Sequence, residues 1–201
     1  MQLATINKTF TVAEYIQYEW TAQQRHEFIN GQLFEMPGEK DINNKQALLF
    51  AFMLMQFLKE KGYDVYVNDV KVGLPNEAKY YYPDVFVTKE ERTENNIYIK
   101  YQPELIVEVV SESTQVNDYV DKYISYTKIP SLQYYIIVEP ETTLITLYAL
   151  ENGAWVTHKY TNKNDIVQLP HFDISFMVND VYPAWWMSGI IKIVKIQNHT
   201  S

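Results

Sequence analysis

Two acidic residues stand where apolar, extended runs leave little room for them. Asp84 follows Pro83 in Tyr82-Pro83-Asp84-Val85-Phe86-Val87, and Glu108 sits inside Glu104-Leu105-Ile106-Val107-Glu108-Val109-Val110. Taking a lone carboxylate out of water is expensive unless a cation or a set of hydrogen bonds compensates it. A lysine, Lys122, follows in Asp118-Tyr119-Val120-Asp121-Lys122. Two carboxylates and one backbone carbonyl, here that of Val109, suffice for a hard divalent cation such as Mg2+ or Mn2+, which takes oxygen ligands and keeps several waters. Such an ion activates a water and stabilises charge on a phosphate being cleaved. An ammonium beside it would orient that water or offset developing negative charge. The chemistry expected of these three side chains is metal-dependent phosphodiester cleavage.

That expectation requires the two acid-bearing strands to be neighbours. Side chains alternate along a strand, so Glu108 shares a face with Ile106 and Val110, and Asp84 shares one with Tyr82 and Phe86 if Tyr80 to Val87 is a single strand. The run Leu105 to Val110, apolar on both faces apart from Glu108, fits a central strand. Ser113 or Thr114 can cap a helix reaching to about Lys128, where Ile129-Pro130 stops it. On that helix Asp118 and Lys122 would share one side, with Tyr119, Val120, Tyr123, Ile124 and Thr127 on the packed side.

The remaining elements read in order. Thr11 caps a short helix to Glu19. Arg25 to Ile29 and Gln32 to Met36 flank Asn30-Gly31, a strong hairpin signal, and Asn152-Gly153 marks a second hairpin. Ala47, Leu48, Ala51, Phe52, Leu54, Met55 and Leu58 recur at helical spacing before Gly62. Val65 to Asn68 and Val70 to Leu74 read as a pair or one bent strand. Tyr134 to Val138 is a further strand, and short strands and turns run from Ile166 to Tyr182. The expected fold is one α+β domain over residues 1–182, a mixed sheet flanked by a few helices, with an appendage at 183–201.

The chain has 201 residues, 47% of them apolar, with seventeen tyrosines and no cysteine. This composition argues for a folded domain with a sizeable core. Disulfides, thiolate zinc sites and cysteine nucleophiles are excluded. A net charge of −8 weighs against general coating of nucleic acid, which draws on a basic surplus. No apolar run approaches the roughly 20 residues of a membrane span, and the start lacks a signal-peptide pattern. A cytoplasmic location is therefore expected.

The ordered set of motifs resembles the Uma-two family of endonucleases, within the PD-(D/E)XK, restriction-endonuclease-like superfamily. The residues that carry the likeness are Arg25 to Gly31, Tyr82 to Val85, Pro103 to Thr114, Asp118 with Asp121-Lys122, and Ile129 to Tyr135. The resemblance implies that Asp84 is the aspartate of the PD element and Glu108 the second acidic ligand. The lysine two residues after that acid is replaced by Val110, and Lys122 would take its role. Glu27 would match an upstream glutamate that holds a metal-bound water. Asn43 stands where members often carry a histidine at the start of the long helix. The resemblance also implies DNA as substrate and a homodimer.

Each of these residues also has a plainer explanation. A strand glutamate can face solvent at an edge or pair with a buried cation such as Lys71. An Asp118–Lys122 pair on a helix is worth only about 0.2–0.5 kcal/mol and needs no function. His26 fits an ordinary strand position as well as a site. His158, His171 and His199 have no metal-ligand spacing, and the serines near Ser111 lack a nucleophile-elbow setting. Two functions therefore compete, with a third behind them. The first is a Mg2+- or Mn2+-dependent endonuclease acting on DNA. The second is a nuclease-fold binding or assembly module without cleavage, and the third a hydrolase of another phosphate ester.

Overall fold

The computed structural model describes residues 6, 8–36, 38–94, 96–110 and 117–182. Its elements, in chain order, are α1 (Val12–Glu19), β1 (His26–Ile29), β2 (Gln32–Glu35), α2 (Asp41–Leu58), β3 (Asp64–Val67), β4 (Lys71–Leu74), β5 (Lys79–Tyr81), β6 (Val85–Thr88), β7 (Ile99–Lys100) and β8 (Pro103–Val109). A π-helical stretch, Asn117–Lys122, then runs into α3 (Tyr123–Tyr126). The chain continues with β9 (Tyr134–Glu139), β10 (Leu144–Glu151), β11 (Ala154–Tyr160), β12 (Ile166–Leu169), β13 (Ile174–Met177) and α4 (Val178–Val181).

The turn signals act as their chemistry requires. Thr11 Oγ1 accepts the Glu14 N–H at 3.2 Å while Glu14 Oε2 accepts the Thr11 N–H at 2.8 Å, a reciprocal cap that starts α1. Asn30 and Gly31 both take positive φ, 51° and 89°, as the tight turn between β1 and β2 needs; Asn152 and Gly153 do the same between β10 and β11.

The strands form two larger sheets and a two-stranded hairpin. One sheet has the order β2-β1-β5-β4-β7, the other β11-β10-β9-β8-β6-β3, and β12 pairs with β13. Both larger sheets are mixed: β8 runs parallel to β9, and β4 parallel to β7. Alternation along β8 explains the layers. Val107 and Val109 join Ala47, Phe50, Leu54 and Leu58 of α2 in one core. Ile106 and Val110 join Phe86, Tyr135 and Ile137, and also Val72, Leu74 and Tyr81 of the other sheet, in a second core. A third core packs Tyr15 of α1 on Phe28, Leu33 and Tyr80. The two sheets therefore meet face to face, with α2 outside one and α1 outside the other. On α2, Leu48, Phe52 and Met55 stay exposed, so the helical apolar pattern covers more of its surface than the core uses.

Two expected strands are corrected here. Tyr80 to Val87 is not continuous: Tyr82-Pro83-Asp84 breaks it, and the chain passes at that point from the five-stranded to the six-stranded sheet. Pro83 has no N–H to give a ladder, which suits it to such a crossing. Likewise β3 and β4 neither pair nor form one bent strand, because Asn68, at φ 53°, turns the chain from one sheet to the other. The expected appendage at 183–201 lies outside the described residues.

Candidate active site

Glu108 lies near the end of β8, between β6 and β9, on the face directed into the space between the sheets. It is only 3% exposed. Its charge is met from the helical segment: Lys122 Nζ is 3.0 Å and the Tyr126 hydroxyl 2.9 Å from the same oxygen, Oε1. Lys122 Nζ also stands 3.3 Å from Oε1 of Glu27, which β1 of the opposite sheet directs inward because Phe28 beside it packs outward. A buried ammonium shared by two buried carboxylates is compensated in a way a lone one is not.

Tyr126 is fully buried, and its phenol is pushed well above the usual tyrosine range. Burial is the main cause, the Glu108 carboxylate adds to it, and Lys122 opposes it. The hydroxyl is therefore a proton donor to Glu108 at any working pH. Tyr81, whose ring centroid is 6.0 Å from Lys122 Nζ, is pushed up to about 12, chiefly by burial. Its hydroxyl shares Ser125 Oγ with Lys79 Nζ, at 3.1 and 2.8 Å, closing the wall behind the lysine.

Asp84 approaches from the crossing. Its Oδ2 accepts the Val109 N–H at 2.7 Å, and its carbonyl accepts the Asn68 N–H at 3.2 Å. Val85 is paired with Val107, so one antiparallel step further Asp84 comes level with Glu108. A strand residue sends its N–H and C=O to the same edge, which places the Val109 carbonyl on the Asp84 side. Asp84, Glu108 and Val109 thus form an all-oxygen donor set at one strand end. Among the described residues no three or more His, Cys, Asp or Glu side chains form a metal-holding cluster. Two carboxylates and a carbonyl could hold an ion that takes one or two carboxylates and keeps its waters.

Lys122 arrives differently from the sequence expectation. It is buried, whereas Val120 and Ile124, expected on the packed side, are 48% and 50% exposed. The π-helical Asn117–Lys122 changes the angle per residue, so Lys122 and Tyr126, four apart, turn inward together. The side chain of Asp118, and residues 111–116, lie outside the described residues. Lys71 is not the partner of Glu108: it lies on the outer face of the five-stranded sheet, its Nζ 4.9 Å from the Tyr82 ring. Asn43 is buried on α2 and donates to Glu39 Oε2 at 2.8 Å. His26 Nδ1 faces Glu19 Oε2 at 3.1 Å and so belongs to a different cluster. The residue that sequence reasoning missed is Tyr126. A residue four after a lysine on a helix shares its face, but only the inward turn of Lys122 brings Tyr126 to the site.

The profile of the Uma2 family, described as "Putative restriction endonuclease", matches residues 12–178. The chain belongs to the Uma2 family. Two Synechocystis proteins are similar to it: sll1609, 31% identical over 141 residues (69% of this chain and 80% of that one), and slr1290, 29% identical over 170 residues (84% and 89%). Among solved structures, the fold is shared with a "putative nuclease belonging to DUF820" from Anabaena variabilis, at a TM-score of 0.72 and 16% identity. That likeness covers 88% of this chain and 99% of that one. The Uma2 profile spans α1 through Val178, and so includes Glu27, Asp84, Glu108 and Lys122.

Proposed function

We propose that this Uma2 protein is a divalent-metal-dependent endonuclease acting on DNA, with its reaction centre at Asp84, Glu108 and Lys122. The observation that carries the reading is the meeting of Glu27, Glu108 and Lys122 in one buried group at the strand end where Asp84 crosses. Asp84, Glu108 and the Val109 carbonyl would hold Mg2+ or Mn2+. The ion would supply an acidified water and offset charge on the scissile phosphate. Tyr126 and Lys122 both bind Oε1 of Glu108, which fixes the carboxylate rotamer. Lys122 pairs with both Glu27 and Glu108 and would provide positive charge beside the phosphate. Glu27 would hold and orient the metal-bound water.

Calorimetric titration with Mg2+ and with Mn2+, of the wild type and of Glu108→Gln, tests this reading. Saturable binding by the wild type that the variant loses, together with metal-dependent nicking of plasmid DNA, is the expected result. Equal heats from both proteins would remove the assignment. A nuclease-fold binding module without cleavage is the second reading, favoured by the net charge of −8 and by Asn43 at the helix start. It requires intact DNA in every metal tested. The endonuclease reading also includes a homodimer, to be checked by light scattering, and a domain that ends near Tyr182.

A further inference from the structure

A cavity of about 490 Å³ opens on the outer face of the five-stranded sheet, backing onto the acidic site without belonging to it. Val72, Leu74 and Tyr81 point inward to the core between the sheets, so Lys71 and Tyr82 point outward and form the cavity floor. Lys71 is 8% exposed, and among the described residues no carboxylate pairs with its Nζ. Burial holds its ammonium below the ordinary lysine value, with Glu19 pulling the other way. Glu19 itself is already engaged. Its Oε1 accepts from the Tyr82 hydroxyl and the His26 N–H, each at 2.8 Å, and its Oε2 faces His26 Nδ1. This ammonium feels the Glu19 carboxylate without an ion-pair contact to it, and it looks into an open cavity that Glu19, Asp69 and Glu94 also line.

The remaining walls say what kind of anion fits. Arg25 stands at the rim, its guanidinium carbon 5.7 Å from the same Tyr82 ring that Lys71 approaches at 4.9 Å. Its bonds to the Asn68 carbonyl (3.1 Å) and Asp69 Oδ1 (2.7 Å) both leave from Nη1, which keeps Nη2 and Nε for a ligand. Two cations approach one ring, and a guanidinium and an ammonium are the side chains that phosphate sites use. Trp20 and Tyr98, 67% and 50% exposed, meet edge to face at 4.9 Å and both line the cavity. Exposed aromatic faces beside cations are the setting in which bases stack. The volume lies within the roughly 300–1,000 Å³ of small-ligand sites.

We propose that this cavity binds a nucleoside monophosphate group, its phosphate at Lys71 and Arg25 and its base on the Trp20–Tyr98 pair. The group is either a free nucleotide or the 5′ end of a DNA strand. The rim is linked to the acidic site through one loop, since Asn68 accepts from Arg25 and donates to the Asp84 carbonyl. The binding itself needs no metal and no cleavage.

Calorimetry on the full chain in EDTA tests this with deoxyadenosine 5′-monophosphate, deoxyadenosine, inorganic phosphate and benzoate. The nucleotide should bind saturably, and each of the other three at least about tenfold more weakly. Lys71→Met should weaken the nucleotide about tenfold or more and leave the nucleoside unchanged, whereas Trp20→Ala should weaken both. If Lys71→Met does not fold, Arg25→Gln at the exposed rim carries the same comparison. A 5′-phosphorylated oligonucleotide that outcompetes its 5′-hydroxyl twin assigns the site to strand ends; equal weak binding of both assigns it to free nucleotide. No saturation by about 10 mM nucleotide, or phosphate or benzoate binding as tightly as the nucleotide, overturns the proposal. Because EDTA removes any metal, loss of this binding and loss of metal-dependent cleavage are separate results.

Discussion

Lys122 and Glu108 meet at 3.0 Å with both side chains almost wholly out of solvent, although 13 residues and a change of secondary structure separate them in the chain. Glu27, from the other sheet, closes on the same ammonium. The contact therefore ties three layers together: the six-stranded sheet, the helical segment and the five-stranded sheet. A charge group in that position supports the fold and stands where the proposed chemistry would take place. Removing one member leaves the others uncompensated in the core.

Replacing Lys122 by Met keeps the stem and removes the charge. Breaking a buried ion pair in this way costs about 3–5 kcal/mol, which for a chain of this size is roughly 6–20 °C in melting temperature. Adding Glu27→Gln should restore part of the loss, since one of the two stranded carboxylates is then neutral. Thermal unfolding of the single and double variants measures both effects. A melting point for Lys122→Met within about 2 °C of wild type would show the ammonium to be compensated by water instead.

Tyr126→Phe keeps the ring and loses the hydroxyl that Glu108 accepts. A hydrogen bond to a charged group is worth about 1.5–3 kcal/mol, and urea unfolding should show a loss of that size. Loss below about 0.5 kcal/mol would mean that Lys122 alone holds the carboxylate.

Much of this arrangement was legible in the sequence, and the exceptions have physical causes. Caps and hairpins such as Thr11, Asn30-Gly31 and Asn152-Gly153 are local, so their residue types identify them. Glu108 was legible because a charge in a strand apolar on both faces demands a partner. The crossing at Pro83-Asp84 was not, because apolar alternation is the same whether one strand continues or two strands in different sheets abut. The inward turn of Lys122 was hidden for another reason. A π-helical stretch shifts the face that each later residue occupies, and nothing in the residue types of Asn117 to Lys122 announces it. The Lys71 cavity is built from α1, the α1–β1 connection, the β6–β7 connection and two strands, and only tertiary packing brings them together.

Alkaline pH should unfold the protein cooperatively. Tyr15, Tyr82, Tyr126 and Tyr182 are all raised above the usual tyrosine value, mainly by burial. A folded value above the unfolded one, about 10, gives stability that is whole below pH 10 and declines as pH climbs beyond it. The phenolate absorbance of these four rings, read as the part that a Tyr→Phe change at each removes, should therefore appear together with the loss of circular dichroism above pH 10. Absorbance from these four that precedes loss of dichroism would show them to be reachable by hydroxide in the native state.

Gly31→Ala tests the first hairpin. Gly31 has φ 89°, and a Cβ there would come 2.8 Å from Thr9 Cγ2. The left-handed backbone alone costs a side chain about 1–2 kcal/mol, and the methyl contact adds to it. Because β1 carries Glu27 into the Lys122 cluster, the variant should also weaken any metal-induced gain in stability. Unfolding curves with and without Mg2+ give both numbers. An unchanged midpoint would place the strain outside the folded state.

Asp84→Asn separates the metal reading from the fold. The amide is nearly the same size and keeps an oxygen for the Val109 N–H, whose bond to Oδ2 is 2.7 Å. Without metal the variant should thus unfold close to wild type, losing about 1 kcal/mol or less as the bond becomes neutral. With divalent cation the two should diverge. A ligand present at 100 times its dissociation constant adds about 2.7 kcal/mol to a protein that binds it in the folded state alone. The wild type should gain that stability, equivalent to several degrees, and the variant little of it, because an amide oxygen carries no charge to hold a hard dication. Differential scanning fluorimetry across a Mg2+ series reads the difference, and plasmid nicking follows activity in parallel. Equal gains in both proteins would put the ion elsewhere. Cleavage surviving in a purified Asp84→Asn preparation would take the reaction away from this strand end altogether, leaving the Glu27–Lys122–Glu108 contact as a support of the fold.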